Sequence, residues 1–233
     1  MYAVIGLKRL ILGFAALIIL IMLVMLAIER PSDLWEFGSV AWKVVSGAIT
    51  VILLLGSIPA VFQFFWRIYG KISPGSYPDI SGKWVGTIES NYAIHKIIDE
   101  AASSQALVFN SQDPAQVAKV ELLKLPATME IKASLLKISV VMNVQGLTDT
   151  SQSLSVCASP VVSTDGEYHG LAYIYKSRHH RSAPDDEASH TGAAEVQLIN
   201  NIDGTLSMKG LYWTVRNWRR AGNTAGVLIF NRS

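Results

Sequence analysis

Hydrophobic positions along this chain follow two regimes. From Leu10 to Ile28, nineteen residues pass without a charge, and all of them are apolar except Gly13. At about 1.5 Å per residue the run reaches roughly 28 Å, close to the hydrocarbon thickness of a bilayer. Val44 to Trp66 adds twenty-three uncharged residues, flanked by Lys43, Arg67 and Lys71. Two transmembrane helices, about 10–28 and 44–66, are therefore expected within residues 1–71. A signal peptide fits poorly, since its apolar core is shorter and ends at a small-residue cleavage site. Phe62, Phe64, Phe65, Trp66 and Tyr69 fit an interfacial aromatic belt. Gly56 and Ala60, like Ser46 and Thr50, have the four-residue spacing that lets helices approach, a spacing common in membrane helices of every kind. Pro59 removes one backbone hydrogen bond and is expected to kink the second helix.

Residues 72–79 form a linker with two prolines and a glycine, and from residue 80 to 233 the period changes to two. Leu136, Ile138, Val140, Met142 and Val144 alternate with Lys137, Ser139, Val141, Asn143 and Gln145, the pattern of a half-buried strand. Similar runs lie at Lys83–Glu89, Thr128–Lys132, Ser151–Ala158, His169–Ser177, Gly192–Asn200, Thr205–Arg216 and Ala225–Arg232. Turn signals at Ala133-Ser134, Asp165-Gly166 and Asn200–Gly204 separate them. About eight strands in an antiparallel meander predict an up-and-down β-barrel, able to hold side chains or one small ligand. Between Tyr92 and Pro126 the period turns helical, with Ile94, Ile97, Ile98 and Ala101 on one face and Asp113-Pro114 reading as a second helix start. Such an insertion either covers a barrel mouth or decorates the surface. Gly82-Lys83-Trp84 opens the first strand in the manner of lipocalin-type barrels, where the indole packs across the closed end near an Arg from a late strand.

Charge sharpens the division. Residues 1–71 carry six Lys/Arg and three Asp/Glu, against fourteen and fifteen in residues 72–233. A net charge of +2 is too small to point to a nucleic-acid polymer as partner. Lys8, Arg9, Arg67 and Lys71 flank the outer ends of the two spans, and the loop between them is acidic on balance, which places both termini in the cytoplasm. Cys157, the single cysteine, excludes an internal disulfide and agrees with a reducing compartment. Neither span holds an ionisable residue, which argues against an ion relay within one subunit.

Candidate chemistry is sparse. His179, His180 and His190 flank Asp185-Asp186-Glu187, but the segment is aperiodic and contains Pro184, so a solvated hairpin loop outweighs a metal site. Nucleophile-elbow and phosphate-loop motifs are absent, and no catalytic residue or cofactor is expected. The late strands are more informative. Tyr173 and Tyr175 share a strand face with Lys176 and Arg178 nearby, and Tyr212, Thr214 and Arg216 share another, followed by Asn217. Rings that stack on a base, hydroxyls, and an Arg that forks onto phosphate suit a small nucleotide. The same alternation also describes a barrel's solvent face, and the pattern leaves both open.

Two N-terminal helices, a short linker and Asp79-Ile-Ser-Gly-Lys-Trp-Val-Gly86 together resemble the SMODS-associated two-transmembrane, β-strand-rich effector family of CBASS anti-phage defence. Further matches are Ala172–Tyr175, His190–Glu195, Gly210–Arg216 and Ala225–Leu228. The resemblance implies a cytoplasmic barrel that binds a cyclic di- or oligonucleotide made by a partner CD-NTase. Binding would drive homo-oligomerisation, and the clustered helices would disrupt the inner membrane, causing growth arrest or cell death. Tyr173, Tyr175, Tyr212, Thr214 and Arg216 are the ligand contacts it implies, with Asn91, Tyr92 and Thr191 as further candidates. Arg216 carries a competing expectation, that it closes the barrel on Trp84. The alternative is a membrane-tethered, lipocalin-like carrier or sensor of an apolar molecule, lined by Leu136, Ile138, Val140 and Met142.

Overall fold

A computed structural model describes residues 4, 7–73, 75–104, 107–146, 150–163, 167–179 and 187–233, with the side chains of 7–10, 179 and 220 left out. The chain packs as two units, residues 1–79 with 133–138, and residues 80–132 with 139–233.

The first unit holds α1 (Leu7–Glu29), α2 (Leu34–Ser57) and α3 (Pro59–Ile72). Ile11–Glu29 and Leu34–Ser57 are each long and apolar enough to cross a membrane. The second helix starts at Leu34 rather than Val44, because the Asp33 side chain accepts from the Glu36 amide at 2.7 Å. Glu36 in turn receives the Ser32 amide and hydroxyl at 2.8 and 2.9 Å, so the helix start is capped well before the uncharged run begins. The helix also stops short of Trp66. Ile58 is extended (φ −80°, ψ 115°), as the residue before a proline tends to be, and Pro59 opens a new helix. Gly56 and Ala60 therefore lie on different helices. The Gly56 carbonyl accepts the Leu135 amide at 2.9 Å, and a Cβ on Gly56 would come within 2.8 Å of the Leu135 side chain. The expected aromatic belt divides as well. Phe62 and Trp66 are buried and stacked, with the Trp66 indole N–H donating to the Tyr77 carbonyl, whereas Phe64 and Phe65 are exposed.

The second unit is a closed antiparallel barrel of eight strands in sequential order. They are β1 (Gly82–Ser90), β2 (Leu123–Ala133), β3 (Ile138–Gln145), β4 (Thr150–Val162), β5 (His169–His179), β6 (Ser189–Asn200), β7 (Leu206–Val215) and β8 (Ala225–Arg232). Between β1 and β2 lie α4 (Tyr92–Ser103) and the one-turn α5 (Pro114–Val117), so the insertion ends before Leu123 and Pro126 sits within β2 opposite Thr87. The alternation expected for β3 holds from Ile138 to Val144, with Ile138, Val140, Met142 and Val144 buried and Val141 half-buried on the other face. Leu136 instead lies in the preceding turn, 54% exposed. The expected Asp165-Gly166 turn lies outside the described residues.

The barrel has two chemically distinct ends. At one, Trp84 is fully buried and its indole N–H donates to the Ile80 carbonyl at 3.0 Å. Arg232, its register partner on β8, lies 5.9 Å from the indole ring and donates to the Ser81 carbonyl at 2.7 Å. The arginine that closes the barrel on Trp84 is thus Arg232. Arg216 follows Val215 at the opposite end of β7, where that strand pairs with Thr191 and Ala225. Gly82 carries a φ of +130°, a conformation open to glycine, which lets the chain turn into β1 beneath the Arg232 guanidinium. Met129, Ile131, Val140, Leu171, Val196, Met208, Leu228 and Phe230 fill the apolar core.

A tyrosine-lined barrel mouth as the candidate functional site

At the end away from Trp84 the interior becomes polar and aromatic. Strand alternation turns Tyr173 and Tyr175 of β5 and Tyr212 and Thr214 of β7 inward, and all four are buried. This decides between the two readings the sequence left open: these residues lie on the lumen face, not the solvent face. The Tyr173 and Tyr175 rings are 5.9 Å apart at 44°. Burial raises both phenols well above the ordinary tyrosine range, and the neighbouring phenols of Tyr173 and Tyr212 add to the effect on Tyr175. Burial raises Tyr212 as well, opposed by its hydrogen bond with Ser90. The three phenols are therefore neutral at physiological pH and available as hydrogen-bond donors.

Small residues make room for these rings. Tyr175 is the register partner of Gly192, and a Cβ there would come within 2.5 Å of the phenol ring. Tyr212 pairs with Gly226, where a Cβ would come within 2.9 Å of its ring. Ala194 lies beside both Tyr173 and Tyr212 in register. Large residues facing small ones keep the layer filled without strain. Ser90, Ser153, Ser177 and Thr224, which the sequence reading did not single out, are buried polar residues of the second unit. The glycines in register with the tyrosines are the signal that marks this layer, and only the strand pairing makes them visible.

The polar groups of the mouth differ in what they still have to offer. The Thr214 hydroxyl is 2.9 Å from that of Thr224 and accepts the Thr224 amide at 3.0 Å, which ties β7 to the approach to β8. Asn91 is similarly engaged, accepting the Ala225 amide through Oδ1 at 2.9 Å and meeting His95 at 3.3 Å. Tyr92, at the start of α4, is 47% exposed and interacts electrostatically with the half-buried Arg216, whose guanidinium is shifted below its ordinary range by desolvation. Thr191 is exposed and alternates with the inward Gly192, so it belongs to the outer face and does not join the cluster. Among the described residues, the Tyr173 hydroxyl is buried without a hydrogen-bond partner.

The insertion leaves β1 and re-enters β2 at this same end. An open cleft of about 540 Å³ lies on it, lined by Ala93, Ile97, Phe109 and Val120 together with Lys96, Lys119, Glu100 and Glu121. The histidine–carboxylate segment is only partly visible: His180, Pro184, Asp185, Asp186 and the His179 side chain lie outside the described residues. Among the described residues no group of three or more metal-type side chains gathers.

Residues 75–232 match the family described as Cap15, cyclic dinucleotide receptor domain. CD-NTase-associated protein 15 of Escherichia albertii is 27% identical over 195 residues, spanning 84% of this chain and 83% of its own length. With two apolar helices ahead of a closed eight-stranded barrel, the chain belongs to the Cap15 family of CBASS effectors and carries its cyclic dinucleotide receptor domain.

Proposed function

We propose that the tyrosine-lined mouth is where this chain binds its cyclic dinucleotide, and that binding drives self-association of a two-pass inner-membrane protein. The clustered helices then disrupt the bilayer and halt growth. The observation that carries the site is the Tyr173 hydroxyl, buried without a partner among the described residues and beside two further neutral phenols. A buried hydroxyl left unpaired costs about 1–3 kcal/mol, and a ligand whose base edge accepts that hydrogen bond recovers the cost.

Tyr175 and Tyr212 supply ring faces and donors, and Arg216 at the rim supplies the cation for a phosphodiester. Tyr92, which interacts electrostatically with Arg216, supplies a further ring at the rim for an outer base. Thr214 and Asn91 hold the frame through the bonds already described. The lumen beyond the tyrosines is closed by packed apolar side chains, so the ligand enters at the mouth.

Orientation follows the basic residues at the span ends, with both termini and the barrel in the cytoplasm, where a CD-NTase product would appear. The receptor carries out no chemistry on its ligand in this scheme; binding energy alone shifts its association. Calorimetric titration of the full chain in detergent against a panel of purine and pyrimidine cyclic dinucleotides tests the site. Saturable heat from one member, lost in Arg216→Ala with an unchanged melting temperature, is the expected result. A folded chain that binds none of the panel would refute it.

A further inference from the structure

The outer wall of an antiparallel barrel in water is normally polar, and β7 breaks this rule. Past Ser207 and Lys209, its outward residues Leu211, Trp213 and Val215 towards the mouth are 60%, 51% and 54% exposed. The register places Ala193 on one side of Trp213 and Ala225 on the other, with the exposed Ile174 next to Ala193. The result is an apolar ridge with one small alanine on each side of its central tryptophan.

We propose that a second copy of this chain covers this ridge, the ridges of the two copies meeting face to face. The inference rests on the self-association step above and names the surface that performs it. Three features favour a copy of the same chain. The row from Cys157 through Ile174, Ala193, Trp213 and Ala225 carries no charge. The neighbouring rows hold Lys176 on one side and Glu195 on the other, and a two-fold axis along the row brings the Lys176 flank of one copy over the Glu195 flank of its mate. The exposed apolar area is on the order of 500 Å², below the roughly 800 Å² per partner of a stable standard interface. Such a contact is weak between free molecules and effective between molecules concentrated in one membrane. Trp213 also lies between Tyr212 and Thr214 on the same strand, so a ligand that moves the lumen face of β7 moves the ridge.

The test is sedimentation velocity of the full chain in detergent over a concentration series, with and without the cyclic dinucleotide panel, beside calorimetry of the same samples. Wild type should associate with rising concentration, further with a bound ligand. Trp213→Lys should need at least tenfold higher concentration to associate while still binding the ligand saturably. Leu211→Glu, also on the outer wall, serves as the second variant should the lysine disturb folding. Wild-type association in folded samples of both variants would overturn the inference and show that the ridge meets something else. A wild type that binds ligand and never associates would overturn it together with the self-association step. A wild type that binds no ligand, yet associates in a Trp213-dependent way, would uphold the surface and refute the ligand site.

Discussion

Removing the Tyr173 hydroxyl should have opposite effects on the empty and the ligand-bound barrel. In Tyr173→Phe the ring remains, 5.9 Å from Tyr175 and flanked in register by Ala158 and Ala194. Only the buried, unpartnered oxygen is lost. Since such a group costs about 1–3 kcal/mol, the empty protein should gain that much. For a domain of this size each kcal/mol moves the melting temperature by about 2–4 °C, so a rise of roughly 2–12 °C is expected. With ligand present the variant lacks the bond by which the ligand recovers that cost of about 1–3 kcal/mol, which weakens binding about 5- to 150-fold. Thermal melts of the full chain in detergent, with and without the cyclic dinucleotide that binds, measure the first effect, and calorimetry measures the second. A lower melting temperature in the empty variant would refute the reasoning, because it would mean the hydroxyl was already satisfied. Unchanged affinity would refute the hydroxyl's role as a ligand contact.

Other substitutions separate the two barrel ends and the packing around the tyrosines. Arg216→Ala should abolish ligand binding with little change in melting temperature, whereas Arg232→Ala should lose about 1–2 kcal/mol of stability by removing its contacts with Trp84 and the Ser81 carbonyl. Gly192→Ala drives a methyl into the Tyr175 ring and to within 2.8 Å of the Trp213 carbonyl, and should cost about 1–3 kcal/mol in denaturant melts as overpacking does. Alkaline titration probes the buried phenols. Tyr173 and Tyr175 keep their protons in the folded state above the pH at which the unfolded chain loses them. Stability should therefore be unaffected by them below about pH 10 and fall above it by about 1.4 kcal/mol per pH unit for each tyrosine. Urea melts at several pH values read this slope, and Tyr173→Phe should flatten it by one tyrosine's share.

The barrel was legible because its strands alternate at period two, and because buried and exposed positions along β3 and β6 follow that alternation. Helix boundaries were less so. Uninterrupted hydropathy marks where a membrane core fits, but the start of α2 is set by the Ser32–Asp33–Glu36 cap and its end by Pro59. Both are local backbone chemistry that a count of uncharged residues passes over. Tyr173, Tyr175 and Tyr212 could be nominated from parity and residue type, yet their lumen orientation depended on register. Thr191 shows the limit: it is one residue from Gly192, and a single step along a strand turns a side chain from lumen to solvent. Two arginines end late strands in the sequence, and only the pairing of Trp84 with Arg232 assigns the closing role. The paired glycines and the Thr214–Thr224 tie are long-range features of the strand ladder, with no signal in either segment read alone.

The most direct test of the central claim is calorimetric titration of the full-length wild-type chain in lipid nanodiscs with purine and pyrimidine cyclic dinucleotides, beside linear dinucleotides of the same bases. Saturable, one-to-one binding of a cyclic dinucleotide at micromolar or lower Kd is expected, with its linear counterpart at least tenfold weaker. A folded chain that binds the linear and cyclic forms equally, or neither, would contradict it.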